Sequence, residues 1–144
     1  MAGCSIMYAL NFVLFEAVAE AAYKKAGEAQ DGVVLYRFED CLEIFRFFFE
    51  CYNATFGIDH PPLKENQVES IIQRMPVINT VYSAIEVPHE DYFDLIDLYF
   101  STDYQDCNYR INHFFSGRIR ELLFYQLEKL DDEARRRLLM LPPI

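Results

Sequence analysis

The sequence predicts an all-α fold: one compact domain over residues 1–144, with five or six helices and at most a minor two-strand element. Three observations lead to this prediction. A chain of 144 residues has the size of one ordinary domain. Its 52% hydrophobic and 16% aromatic content support a large core and are the reverse of a disordered composition. Apolar residues also recur with helical spacing along most of the chain.

The first two helices are bounded by recognisable end signals. The first is expected over about residues 5–26, with Ser5 as its N-cap and Gly27 just beyond its end. The second, over residues 39–56, is the clearest helix of the chain, and Gly57 ends it. Its polar residues fall within an arc of about 80°, so most of its surface is expected to lie against other elements.

The middle of the chain contains two stretches that fit more than one structure. Residues 33–38 fit a short strand or a lead-in to the second helix. Residues 77–87 are rich in β-branched side chains and fit a strand, a loop or a helical turn. A third helix is expected between these stretches, over about residues 64–75, because Pro76 would stop it there.

The last part of the chain is predicted to be helical with two interruptions. Pro88 is a favoured first-turn residue and begins the fourth helix. A turn over residues 101–106 precedes a long helix over residues 108–130, with a break expected near residues 116–117. Residues 131–141 then form either a final short helix or a basic tail.

The net charge of −10 is concentrated in the centre of the chain. Residues 39–107 carry a net charge of −11, against −1 for residues 1–38 and +2 for residues 108–144. This acidic centre disfavours nonspecific binding to phosphate backbones. Either it keeps an aromatic-rich protein soluble, or it forms a functional surface that binds a basic protein.

The most regular group of acids lies on the fourth helix. Four of them share an arc of about 120°, and they are our predicted partner-binding residues: Glu90, Asp91, Asp94 and Asp97. Acids three residues apart on a helix rise by about 4.5 Å, and phosphates of one DNA strand are about 3.4 Å apart. Such an array can therefore imitate nucleic-acid phosphates before a basic protein. We expect all four carboxylates to be solvated.

Basic side chains near the end of the chain form a second candidate surface. They are Arg110, Arg118, Arg120 and the run 135–137. Arg120 falls inside the apolar arc of the last helix, so it either pairs with a buried acid or is presented to a partner. An alternative function is therefore a DNA-associated accessory protein of a mobile element. The acids at 131–133 weaken this alternative, and the apolar residues 138–141 fit either core packing or a homodimer contact.

No group of residues predicts catalysis, a metal site or a bound cofactor. Glu86 and His89 form the Glu-x-x-His pattern of di-iron bundles, but Pro88 interrupts it and the pattern is not repeated. Cys107 and His113 would lie on separated faces of the last long helix, so an inert buried thiol is expected. The sequence therefore predicts a protein that works by binding a partner protein, without catalysis.

Cysteine spacing and hydropathy favour a reduced, cytoplasmic protein. Cys41 and Cys51 lie in one helix about 15 Å apart, which is beyond the reach of a disulfide of about 7 Å. The apolar stretch at residues 5–15 lacks the basic start of a signal peptide. Glu16 and Glu20 interrupt it before the roughly 20 residues of a membrane span are reached.

Two segments carry a resemblance to known proteins. Residues 106–117 (DCNYRINHFFSG) and 36–40 (YRFED) resemble segments of small proteins from conjugative or phage-like elements of anaerobic bacteria. The resemblance implies a bacterial cytoplasmic setting and a mobile-element context, and no functional residue carries over from it. Small acidic proteins of such elements often inhibit host defence, anti-CRISPR proteins among them. By this analogy, and because of the acidic centre at residues 39–107, our leading hypothesis is an inhibitor that presents its acidic face to a basic nucleic-acid-binding protein.

Overall fold

The computed structural model describes residues 6–28, 34–104 and 107–140. In these ranges the chain forms six helices and one two-stranded antiparallel sheet, which confirms the predicted all-α fold class. In chain order the elements are α1 (Ile6–Glu28), α2 (Phe38–Phe56), α3 (Glu65–Arg74), β1 (Val77–Asn79), β2 (Ala84–Glu86), α4 (Asp91–Ser101), α5 (Ile111–Phe115) and α6 (Ile119–Met140).

The predicted ends of the first two helices have different outcomes. Gly57 ends α2 as predicted: its φ of 72° is left-handed, and its N–H donates to the Asn53 carbonyl at 2.7 Å. Gly27 does not end α1, which continues to Glu28, because a glycine inside a helix costs only about 1 kcal/mol. Ser5 lies outside the described residues. Residues 34–37 form an irregular lead-in to α2, not a strand.

The undecided stretch after α3 is a β-hairpin. Ile78 of β1 pairs with Ile85 of β2, and Ile78 is buried while the other strand residues are half-buried or exposed. The hairpin tip is held by Ser83, whose N–H donates to the Thr80 hydroxyl at 2.9 Å. The next residue back, Tyr82, is 96% exposed. The hairpin therefore attaches to the body through one face.

The prediction of a single helix over residues 108–130 is wrong for its first residues and right about the break. Residues 107–110 are not helical, α5 spans only Ile111–Phe115, and Gly117 (φ 56°) separates α5 from α6. From Ile119 to Met140 the helix is continuous, so the separate element predicted at residues 131–141 is wrong. Residues 131–137 contain neither glycine nor proline and so can continue a helix.

Helix α2 lies at the centre of the aromatic core, as its narrow polar stripe predicted. On one side Phe45 contacts Phe15 of α1, with ring centroids 4.9 Å apart. On the other side Phe48 contacts Phe100 of α4 at 5.0 Å and Phe114 of α5 at 5.6 Å. Burial of such rings removes roughly 150–250 Å² each from water, so α2 joins the other helices into one core.

A buried arginine connects α6 to α3 and α4. Arg120 is only 8% exposed, and its guanidinium donates to the Arg74 carbonyl at 2.8 Å and to the Tyr92 hydroxyl at 2.9 Å. It also lies 5.0 Å from the centre of the Phe115 ring. Tyr92 in turn donates to the Met75 carbonyl at 2.6 Å. Arg120 thus lies in the interior, where a carbonyl, a phenol and an aromatic ring take the place of the expected buried acid.

Within the described ranges, no helix combines the length and the apolar character needed to cross a membrane. Three cysteines are described, and all are free thiols: Cys41, Cys51 and Cys107. Cys41 and Cys51 both lie in α2, as predicted.

Candidate functional site

Three of the four predicted acids lie on the outer side of α4, and Glu90 is in the turn before it, since the helix begins at Asp91 and not at Pro88 as predicted. The side chains of Glu90, Asp94 and Asp97 are exposed, while that of Asp91 is half-buried. The opposite side of the helix is apolar and buried, with Tyr92, Leu95, Ile96 and Tyr99 fully enclosed. Helical periodicity thus places the carboxylates as the sequence indicated.

Asp91 departs from the expectation of four solvated carboxylates. Its pKa is raised, first by burial and then by the negative charges of Asp94, Glu90 and Asp131. Asp131 belongs to α6, so a second helix contributes a carboxylate to the same region. Like charges of α4 and α6 therefore act on the same carboxyl group.

Helix α2 extends this region on the other side of α4. Glu43 and Glu50 are exposed, and Phe47 lies between them, half-buried. The Phe47 ring contacts Phe93 of α4 edge to face, with centroids 5.2 Å apart. We name the carboxylates of α2, of α4 with the turn before it, and of α6 at Asp131 the acidic face. It comprises Glu43, Glu50, Glu90, Asp91, Asp94, Asp97 and Asp131.

The thiol of Cys51 lies near acids of both α2 and α4. Burial, together with the charges of Asp97 and Glu50, raises the pKa of Cys51 to about 11. Asp97 and Glu50 therefore act on the same sulfur from two different helices. Acids of both helices therefore lie near the α2–α4 contact.

The Glu-x-x-His pattern does not form a metal site. Glu86 ends β2 and His89 lies in the turn before α4, so the two do not share a helix. The His89 ring instead lies 3.5 Å from Asp40 and 3.6 Å from Glu90. Among the residues that the structure describes, no three metal-ligating side chains come together.

The arginines predicted to contact a partner lie in three different settings. Arg118 is exposed and forms an ion pair with Glu121 at 3.2 Å. Arg120 is enclosed and so is not available to phosphates. Arg110 is exposed and lines a pocket beside His60. The basic surface required by the DNA-binding alternative is therefore dispersed, and of the run 135–137 the structure describes only the Arg136 side chain, which is exposed.

The structure brings Cys107 and His113 together, contrary to our expectation. The Cys107 sulfur lies 3.4 Å from Nδ1 of His113 and 3.4 Å from the Tyr99 hydroxyl. The Tyr99 hydroxyl also lies 2.8 Å from the same Nδ1. The prediction of separated faces was wrong because α5 begins only at Ile111, so the segment of Cys107 folds back toward the helix.

An unusual backbone conformation positions the sulfur. Tyr109 has a φ of 55°, in the left-handed region that costs a non-glycine residue roughly 1 kcal/mol. In this conformation its N–H donates to the Cys107 sulfur at 3.2 Å. Its side chain is anchored, since its hydroxyl donates to the Thr102 carbonyl at 2.5 Å and accepts from the Tyr104 N–H at 2.9 Å. The strain is therefore held by the turn after α4.

His60 closes the opposite wall of the same region. Its Nε2 accepts a hydrogen bond from the Ile111 N–H at 3.0 Å, while its Nδ1 lies 2.8 Å from the Pro61 carbonyl and donates to it. This arrangement requires the neutral imidazole. Burial, together with the nearby charge of Arg110, lowers the pKa of His60 to about 4. The loop before α3 is thus fastened to the start of α5.

Between these walls lies an open cavity of about 290 Å³, which we name the thiol pocket. One wall is the loop that contains Pro61 and Pro62, and the other is the start of α5. The lining residues used below are Pro61, Gln67, Cys107, Arg110, Asn112 and His113. It offers a thiol, an imidazole, two amides and a guanidinium to a small polar ligand.

The comparisons with known proteins add no relative to this description. No protein-family model, curated protein or solved structure matches the chain. Any function therefore has to be argued from the acidic face and the thiol pocket themselves.

Proposed function

We propose that the protein is a non-catalytic binding protein whose acidic face engages a basic, nucleic-acid-binding protein. One observation carries the proposal: carboxylates of α2, α4 and α6 form one acidic face, and the half-buried Phe47–Phe93 contact lies within it where α2 meets α4. Folding brings these acids together, and their negative charges add to the larger effect of burial in raising the pKa of Asp91. A cationic partner would relieve the repulsion among these charges, and this supports a binding role over a merely solubilising one.

The acids and the phenylalanines would contribute differently to binding. Exposed carboxylates attract a basic surface over about a Debye length and so speed association. Phe47 and Phe93 supply an apolar contact beside the acids of α2 and α4, where an arginine side chain can stack on a ring while it pairs with a neighbouring acid. A surface that normally binds phosphates and bases offers arginines of this kind.

The biological setting extends the same proposal. The resemblance of residues 36–40 and 106–117 to proteins of mobile elements leads us to propose an anti-CRISPR-like or other anti-defence inhibitor. Such an inhibitor would occupy the nucleic-acid site of a defence protein. Binding would then be mutually exclusive with nucleic acid.

The test compares two triple variants with the same change in net charge. One reverses the acidic face (Glu50→Lys, Asp94→Lys, Asp97→Lys), and the control reverses exposed acids elsewhere (Glu20→Lys, Glu28→Lys, Asp103→Lys). Each tagged protein is used as bait in a bacterial host lysate, with and without excess single-stranded DNA. We expect a partner that the natural protein and the control retain, that the acidic-face variant loses, and that DNA displaces.

The reversal should weaken binding at least roughly a hundredfold, since charged pairs in an interface contribute about 1.5 kcal/mol or more each. Circular dichroism should show the same helix content for all three proteins. Equal retention of the same partners by both triple variants, or retention that DNA leaves unchanged, would contradict the proposal.

A further inference from the structure

The Cys107 sulfur is surrounded by groups suited to a thiolate. The Tyr109 N–H donates to it at 3.2 Å, the Tyr99 hydroxyl lies at 3.4 Å and the His113 imidazole lies at 3.4 Å. Thiolates, not thiols, are the nucleophiles in cysteine chemistry, and they are stabilised by hydrogen-bond donors and by an adjacent imidazolium. This sulfur is also half-buried at the wall of an open pocket, so a small reagent can reach it.

We propose that Cys107 is a nucleophilic thiol that forms mixed disulfides with small, carboxylate-bearing disulfides bound in the thiol pocket. The inference rests on the geometry of Cys107, His113, Tyr99 and Arg110. It is independent of the binding role assigned to the acidic face.

The proton of the thiol has a defined acceptor. Nδ1 of His113 lies at hydrogen-bond distance from both the sulfur and the Tyr99 hydroxyl. Burial raises the pKa of Tyr99 well above its ordinary value. The phenol therefore keeps its proton and serves as a donor. When the thiol proton moves to Nδ1, the Tyr99 O–H turns from the imidazole to the sulfur. The ion pair of thiolate and imidazolium then retains its hydrogen bonds.

The exchange step needs no reagent other than the disulfide itself. The Cys107 thiolate attacks one sulfur of the bound disulfide, and a new S–S bond forms as the old one breaks. The electron pair of the old bond leaves on the second sulfur, which takes the proton from His113 and departs as a thiol. Cys107 is oxidised to the mixed disulfide and the departing sulfur is reduced.

The walls of the pocket set the class of disulfide. The exposed Arg110 guanidinium lines the pocket, where it can pair with a carboxylate through charge-assisted hydrogen bonds. Gln67 and Asn112 add amide donors on either side. The volume of about 290 Å³ is at the lower end of small-molecule sites and fits one half of a small peptide disulfide.

The two cysteines of α2 provide internal controls. Burial raises the pKa of Cys41 to about 12 and that of Cys51 to about 11, so both remain thiols at neutral pH. Cys4, which lies outside the described residues, is replaced by serine in every protein tested. Modification of Cys107 can then be read against two thiols in the same molecule.

The experiment exposes the Cys4→Ser protein at pH 7.5 to oxidised glutathione, which carries carboxylates, or to cystamine, a disulfide of opposite charge. Intact-mass and peptide mass spectrometry give the rate at each cysteine. We expect one glutathione on Cys107, with Cys41 and Cys51 unmodified over the same time. The ratio of the rate with glutathione disulfide to the rate with cystamine should be roughly fivefold higher for Cys107 than for a free cysteine peptide. This is the effect expected from one exposed charge pair.

Two substitutions test the roles of the surrounding groups. His113→Gln should slow glutathionylation roughly tenfold or more, because the proton acceptor is lost. Arg110→Gln should remove the preference for glutathione disulfide over cystamine. If His113→Gln changes the circular dichroism, Tyr99→Phe takes its place and should also slow the reaction.

Three outcomes would overturn the proposal. The first is modification of Cys51 as fast as that of Cys107. The second is an unchanged rate in a folded His113→Gln or Tyr99→Phe protein. The third is a preference for glutathione disulfide that persists in Arg110→Gln.

Discussion

The acidic face and the thiol pocket lie on different sides of α4, and their polar groups are arranged in opposite ways. On the acidic face, carboxylates lie side by side, and the pKa of Asp91 is raised by burial and then by the neighbouring negative charges. In the thiol pocket, each imidazole lies within hydrogen-bond distance of a neighbour. In the described part of the chain, no buried side-chain polar atom lacks a hydrogen bond. The acidic face thus acts through long-range electrostatics, and the thiol pocket holds a few atoms in place through hydrogen bonds.

The largest expected difference between the two regions is in stability. His60→Ala should lower the free energy of unfolding by roughly 3 kcal/mol, because it removes a half-buried ring that contacts Phe49 and Tyr52 and leaves the Ile111 N–H without its acceptor. Asp97→Ala, on the acidic face, should change it by no more than about 0.5 kcal/mol. Urea denaturation at pH 7 measures both. If His60→Ala lowered the free energy of unfolding no more than Asp97→Ala does, the two regions would not differ in their contribution to stability.

Acid should act on the two regions with opposite signs. The pKa of His60 is depressed to about 4 in the folded protein, against an ordinary value of 6.5, so the unfolded chain binds the proton more readily. Its contribution to stability is complete above about pH 6.5 and is lost as pH falls toward 4, an effect on the order of 2 kcal/mol. Urea midpoints between pH 7 and pH 4.5 should fall less steeply for His60→Gln, which cannot titrate.

Asp91 should behave in the reverse manner. Its pKa is raised in the folded protein, so protonation favours folding, and its unfavourable contribution disappears as pH falls below that pKa. In an Asp91→Asn protein this gain is absent, and the fall of stability with acid should therefore be steeper than in the natural protein. The same urea series at successive pH values measures it, and a shallower fall would contradict the assignment.

A smaller effect is expected from one hydroxyl group in the pocket. Tyr99→Phe keeps the ring but removes the O–H that lies 2.8 Å from Nδ1 of His113, and it should cost about 1 kcal/mol. Tyr82→Phe is a matched control, since its side chain is exposed at the hairpin tip. Thermal unfolding of both variants measures the difference, and equal midpoints would show that the buried hydroxyl contributes nothing to stability.

The smallest predicted effect is the response to salt. Sodium chloride shortens the Debye length from about 30 Å at 0.01 M to about 3 Å at 1 M, so it should stabilise the protein by up to about 1 kcal/mol by screening the acidic face. Asp94→Lys with Asp97→Lys should respond less. Melting curves at several salt concentrations test this, and an equal response in both proteins would show that the repulsion lies elsewhere.

The two regions also differ in how far the sequence predicts them. The acids of α4 follow from a rotation of 100° per residue, which local spacing fixes, and the same rule placed α2 at the centre of the core. The contribution of Asp131 required the contact of α6 with α4, which periodicity alone does not give.

The thiol pocket depends on contacts that no local pattern encodes. His60 and Ile111 are 51 residues apart in sequence, and their hydrogen bond exists only in the folded chain. The left-handed conformation of Tyr109 likewise lacks a glycine that would have signalled it. Because the segment before α5 was read as helix, Cys107 and His113 were separated in the prediction. The neighbouring cysteine and histidine in the sequence were the only signal that pointed to this site.

The buried guanidinium of Arg120 determines the alignment of α6 along the body. A displacement of α6 by one helical turn, about 5.4 Å, would carry Arg120 away from the Arg74 carbonyl and the Tyr92 hydroxyl and leave a buried charge without partners. Alternative registers of this helix are therefore excluded by a large energetic penalty. The position of Asp131 opposite Asp91 follows from that alignment, so an interior arginine specifies where the outermost carboxylate of the acidic face is presented.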